Sequence, residues 1–158
     1  MKRMFKIMGL MLCLGVAVML LFGCADKVEI KEIQYFTFIK RAGSEQYSHT
    51  RYALRPENDG YVAEIKPAGV PDEEVQIYPV DADFVRQLEQ LLRKGGVESW
   101  NGFNKSSKTV WDGSGFDLTI IMADESLIEA GGYMKWPRNY EAVRDGLDAL
   151  FGSLMQQD

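Results

Sequence analysis

The chain is 158 residues long, 46% hydrophobic and 26% charged, with 18 basic against 23 acidic side chains. That composition excludes a disordered or collagen-like chain, and a formal charge of −5 gives no basis for capturing nucleic acid by charge. Two cysteines, Cys13 and Cys24, cannot build a disulfide scaffold, and the length suits one domain.

Residues 1–23 read as a secretion signal. Lys2, Arg3 and Lys6 form a positive head, followed by 16 uncharged residues from Ile7 to Phe22. A bilayer span needs about 20 apolar residues, so this run is short for a permanent transmembrane helix and of the right size for a signal core. An uncleaved N-terminal anchor is the alternative, and it leaves the rest of the chain on the same outer side. The run ends on Leu21-Phe22-Gly23-Cys24, which resembles the lipobox of bacterial lipoproteins. The resemblance implies cleavage before Cys24 and a diacylglycerol on its sulfur, so that the protein meets the membrane through lipid. Phe22 is bulkier than the small residue usual at that position.

Processing there leaves 135 residues and removes Lys2, Arg3 and Lys6 but no acidic side chain, for a side-chain net of −8. Cys13 departs with the signal and Cys24 is consumed by its lipid. The remaining domain then has no thiol for a disulfide, a metal or a nucleophile, and its membrane residence rests on acyl chains.

Residues 24–32 read as a charged tether, and 33–158 as a single α+β domain. Phe36 and Phe38 alternate with Tyr35, Thr37 and Ile39 in a first strand. Thr50, Tyr52 and Leu54 alternate with His49, Arg51 and Ala53 in a second. Asn58-Asp59-Gly60 is a turn, and Tyr61, Ala63 and Ile65 make a third strand beyond it. Val75 and Ile77 mark a shorter fourth. Asp81 or Asp83 caps a helix whose apolar stripe is Phe84, Leu88, Leu91 and Leu92, and Gly95-Gly96 stops it. A polar, aromatic loop runs from Glu98 to Ser114. Phe116, Leu118, Ile120 and Met122 alternate in a fifth strand, and residues 128–134 return as a sixth. Pro137 opens a last helix with the stripe Tyr140, Val143, Leu147, Leu150, Phe151 and Leu154. Leu147 and Leu150 are expected to face the sheet, Asp145 and Asp148 the solvent, and Gly146 lies off the stripe. The expected fold is therefore an antiparallel sheet of about six strands, in the order β-β-β-β-α-β-β-α, with both helices on one face.

The inventory of reactive groups is small. His49 is the sole histidine, so histidine-pair metal sites are excluded. A Ser-His-acid triad needs only one histidine. However, Trp111-Asp112-Gly113-Ser114-Gly115 departs from G-x-S-x-G at its first position and reads better as a turn. Glu73-Glu74 and Asp81/Asp83 lack the alternating, glycine-containing spacing of a calcium loop and read as solvated and capping acids. No glycine pair has phosphate-loop spacing, and no metal or cofactor is expected.

The aromatic residues of the C-terminal half are more informative. Trp100, Phe103, Trp111, Tyr133 and Trp136 are accompanied by Asn101 and by further amide and hydroxyl side chains. Flat aromatic faces beside such donors suit a sugar or peptide, and these six are the candidate ligand-binding residues. The competing reading is a loop pinned to the core by its own aromatics.

The segments Trp100-Asn101-Gly102-Phe103-Asn104-Lys105-Ser106, Gly113-x-Gly115-Phe116-x-Leu118 and Gly132-Tyr133-Met134-x-Trp136-Pro137-x-Asn139-Tyr140 resemble a pattern in uncharacterised secreted proteins and lipoproteins of Gram-positive bacteria. The resemblance covers residues 60–152 and implies a shared small α+β domain used outside the cytoplasm. It implies no activity. The expected function is a membrane-anchored, extracytoplasmic binding or accessory domain with a peptide, glycan or protein ligand. The alternatives are a hydrolase working through carboxylates such as Asp112 and Asp117, or a surface-displayed enzyme inhibitor.

Overall fold

The computed structural model describes residues 28–43, 48–107, 109 and 112–156. The signal segment, Cys24 and Trp111 lie outside the described residues. Among the described residues seven strands, β1 (Ile33–Arg41), β2 (His49–Glu57), β3 (Gly60–Lys66), β4 (Gln76–Val80), β5 (Asn104–Ser106), β6 (Gly115–Met122) and β7 (Leu127–Tyr133), accompany two α-helices, α1 (Ala82–Gly95) and α2 (Tyr140–Gly152). The strands form one sheet in the order β4-β3-β2-β1-β6-β7-β5. Every pairing is antiparallel except that of β5 with β7.

Side-chain alternation decides the inner face. Phe36 sits opposite Leu54 on one side and Ile120 on the other, and the row continues through Ala63 and Tyr78 to one edge and Ile128 towards the other. The next row holds Ile65, Tyr52, Phe38, Leu118 and Ala130. Both rows meet the helices in one core that includes Leu88, Leu92, Val143, Leu147 and Phe151. Phe151 stacks on Tyr52 at 4.8 Å and meets Phe84 edge-on at 5.3 Å, which ties both helices to the same face of the sheet. The opposite face carries the exposed residues Tyr35, Ile77 and Leu127.

The helix signals read from the sequence correspond to observed caps. Asp81 accepts the Phe84 N–H at 2.9 Å as N-cap of α1. Gly96 ends the helix with φ 69, the left-handed conformation that glycine adopts without a Cβ penalty. Asp83 pairs with Arg86 in the first turn of the helix.

Several expectations need correction. The sheet has seven strands and is mixed, because Asn104–Ser106 adds to β7 in parallel. Nothing in Asn-Lys-Ser favours a strand. The segment is held by its surroundings, with Gly102 N–H donating to the Glu129 carbonyl and Gly131 N–H to the Phe103 carbonyl. In β4 the inward residues are Tyr78 and Val80, and Ile77 points outward at 53% exposure. One residue of register separates the two readings, and it exchanges the faces of the strand. The tether is also shorter than residues 24–32, since Ile30 is fully buried and Val28 packs against the core. A register irregularity between Ile33 and Tyr35 lets both Ile33 and Phe36 point inward, which hides this segment from any simple periodicity. Pro137 lies in the turn before α2, whose first residue is Tyr140.

The outer side of α2 differs most from expectation. Leu147 is fully buried, but Leu150 is only half-buried beside the groove between the helices. Asp148 is not a solvated acid: it accepts Lys40 Nζ at 2.6 and 2.8 Å and the Tyr52 hydroxyl at 2.8 Å, fastening the helix to β1 and β2. Gly146 faces α1, where a Cβ would overlap Leu91 Cδ1 and sit 3.2 Å from Leu91 Cγ. Gly146→Ala gains helix propensity but has to displace Leu91, and the net loss of stability is expected to be about 1 kcal/mol. In a Leu91→Ala background the same change should stabilise, because only the propensity gain remains. Urea midpoints of the four variants check this, and additive effects would contradict the contact.

Candidate functional site

Phe116 is the centre of an aromatic cluster. It enters from β6, where β1 and β7 flank it and Lys40 and Gly132 stand opposite. Its ring lies 4.8 Å from Tyr140, 5.9 Å from Trp100, 5.9 Å from Trp136, 6.3 Å from Phe38 and 6.3 Å from Phe103. The local reason is the run Gly113-x-Gly115 before it and Gly132 across from it. Those bare positions let the chain from Tyr133 to Tyr140 fold back over the end of the sheet.

The six ligand candidates separate sharply in this setting. Trp100 is 1% exposed and its indole N–H donates to the Arg138 carbonyl at 3.0 Å, so it presents no face to a ligand. Asn101 Oδ1 accepts the Glu129 N–H at 3.1 Å and fixes the loop against β7. Phe103 is partly buried against the core. The Tyr133 hydroxyl accepts the Gly113 N–H at 2.7 Å and braces the turn into β6. Trp111 lies outside the described residues. Among the described candidates Trp136 alone combines accessibility with rigidity: it is 39% exposed, and its ring stacks on Tyr140 at 4.5 Å and 24°.

Trp136 and Tyr140 border a cleft of about 380 Å³ at the end of the sheet. The end of β1 contributes Lys40, Arg41 and Ala42, the start of β2 Ser48 and Thr50, the start of β6 Ser114 and Gly115, and α2 Glu141 and Arg144. Lys40 and Arg41 are held by Asp148 and Asp117, and Arg144 Nε and Nη2 contact Asp145 at 2.9 and 2.7 Å. Burial pushes the Tyr140 hydroxyl up to about 12, so it is a neutral donor at physiological pH. The combination of an aromatic wall, several hydroxyls and the paired side chains of Lys40 and Arg144 was not legible in the sequence. Lys40, Ser114 and Arg144 are far apart in the chain, and only strand pairing and helix packing bring them together.

Of the carboxylates named as alternative catalytic groups, Asp117 is engaged otherwise. Both oxygens of Asp117 take the Arg41 guanidinium, and Asp112 lies beside Gly43. His49 Nε2 is 3.4 Å from Asp72, whose carboxylate also lies 3.7 Å from Lys66 Nζ. Lys66 is fully buried and donates to the His49 carbonyl at 3.2 Å, so this group braces the loop after β3 against the start of β2. Among the described residues no three carboxylates, imidazoles or thiols converge as a metal-ligand set, and no helix is long and apolar enough to cross a membrane. Comparison with protein-family models and with curated proteins finds no match to the chain.

Proposed function

We propose that this protein is a lipid-anchored, extracytoplasmic binding or accessory domain, attached to the membrane through Cys24. The observation that carries the reading is the separation of the two ends of β1. Only Ala25, Asp26 and Lys27 separate Cys24 from Val28, which packs on the core just before the strand begins. The cleft beside Trp136 opens at the other end, around Lys40 and Arg41. Nine strand residues span roughly 25–30 Å, so a lipid at Cys24 would hold one end at the bilayer and present the cleft away from it.

The binding reading is favoured over catalysis by Asp117, whose charge is met by Arg41 rather than poised for proton transfer. The lipid anchor has a direct test. Radiolabelled fatty acid is expected on the wild-type protein expressed with its signal in a bacterium, and it is expected to vanish in Cys24→Ala. Labelling that survives the substitution overturns the anchor.

A further inference from the structure

We infer that the groove between α1 and α2 binds a single-chain carboxylate amphiphile, a free fatty acid, whose alkyl chain lies along the groove and whose carboxylate is met by Lys94. The groove is a different surface from the cleft beside Trp136, and its occupancy depends neither on the lipid anchor nor on that cleft.

The lining selects the alkyl chain. The groove has a volume of about 670 Å³, within the range of small-molecule sites. Val143 lies at its base, and Leu91 and Leu150 flank it, each packed only in part against the core. Large apolar side chains left partly uncovered in a concave surface gain by burial against an apolar ligand. Ala142, Gly146 and Ala149 supply the α2 side over about 10 Å of helix, and with no long side chain among them the trough stays open along its length. One such trough takes one chain, which favours a free fatty acid over a two-chain phospholipid.

The charge selects the headgroup. The chain carries 23 acidic side chains against 18 basic ones, yet no carboxylate lines the groove and Lys94 is the one charged residue of its lining. The arginines of α1 are matched already, Arg86 by Asp83 and Arg93 by Glu89. Lys94 forms no ion pair among the described residues. Its neighbour in the lining, Asn139, is engaged through its amide, which donates to the Gly95 carbonyl at 3.2 Å. Gln87 and Ser153 mark the far end, where the Ser153 hydroxyl donates to the Leu150 carbonyl at 2.7 Å. An unmatched cation at one end, uncharged groups at the other and apolar side chains between them complement a ligand with one anionic end and an alkyl body.

The test places the full chain in phosphatidylcholine nanodiscs and photolabels it with a diazirine analogue of dodecanoate, mapping the labelled peptides by mass spectrometry. Label is expected within residues 87–95 and 139–153. Unlabelled dodecanoate is expected to displace it at concentrations at least about threefold lower than dodecanol, which enters the same bilayer without a charge. Octanoate, with a shorter alkyl body, is expected to be at least about tenfold weaker than dodecanoate. Lys94→Gln should weaken labelling at least about threefold and Lys94→Arg should retain it. Ala149 is exposed, so Ala149→Trp fills the trough from the surface and should cost at least about tenfold, with thermal melting to verify the fold. Label spread over other segments, equal displacement by dodecanol, or wild-type labelling in folded Lys94→Gln or Ala149→Trp overturns the inference. So does a groove that cross-links to disc phospholipid or to a second copy of the chain and takes no dodecanoate.

Discussion

Phe116→Ala is expected to cost about 3–5 kcal/mol of folding stability. Phe116 is fully buried and its ring touches five other aromatic rings, drawn from β1, the loop after α1, the turn before α2 and α2 itself. Truncation removes the ring's transfer energy and leaves a cavity that none of those neighbours can fill alone, since each is fixed by its own backbone. Against a total stability of about 5–15 kcal/mol, the variant should be close to unfolded at physiological temperature. The control is Ile77→Ala on the outer face, where the loss should stay within about 0.5 kcal/mol. Similar urea midpoints for the two variants would mean that the cluster is not the keystone of the sheet end.

Gly132→Ala is expected to cost about 3 kcal/mol, although it adds a single methyl group. A Cβ at Gly132 would overlap the Lys135 carbonyl oxygen and lie 2.7 Å from Cε1 of Phe116. The first obstacle is backbone and the second is the ring at the centre of the core, so neither can move without opening the turn that carries Trp136. Gly131 is the internal comparison. It faces the other side of the same strand, where a Cβ would meet the Asp117 carboxylate at 3.3 Å and the Phe116 carbonyl at 3.6 Å. Asp117 is half-exposed and can yield, so Gly131→Ala should cost less than about 1 kcal/mol. Thermal midpoints of the two alanine variants check the contrast. Equal midpoints would show that the turn is not closed over Gly132.

The candidate site was less legible than the fold. Of the aromatic residues that composition singled out, Trp100, Phe103, Trp136 and Tyr140 gather around Phe116. Composition did not distinguish Trp100, which the core absorbs, from Trp136, which keeps a face in solvent. Both are tryptophans with an asparagine and a glycine within four residues, and only the path of the chain around Phe116 separates them. The cations of the cleft carried no local signal at all: Lys40 and Asp148 meet across 108 residues of sequence. Gly146 shows the same limit. Its position off the apolar stripe of α2 is correct, but the groove it faces belongs to a second helix.

What the sequence by itself determined are the features whose cause lies within a few residues. Asp81 and Gly96 bound α1 because a capping carboxylate and a left-handed glycine act on adjacent backbone groups. Phe36 and Phe38 face inward because strand side chains alternate, and the 3.6-residue repeat places Val143, Leu147 and Phe151 on one side of α2. The tertiary structure decided the rest: the parallel β5, the register of β4, the burial of Ile30 before β1, the tie of Asp148 to Lys40 and Tyr52, and the cleft itself. Each depends on which distant segment lies alongside. A three-residue strand with no apolar side chain, or an aspartate on a helix surface, has no intrinsic preference that identifies its partner. Their conformations follow from hydrogen bonds and charges that exist only once the sheet and helices have packed.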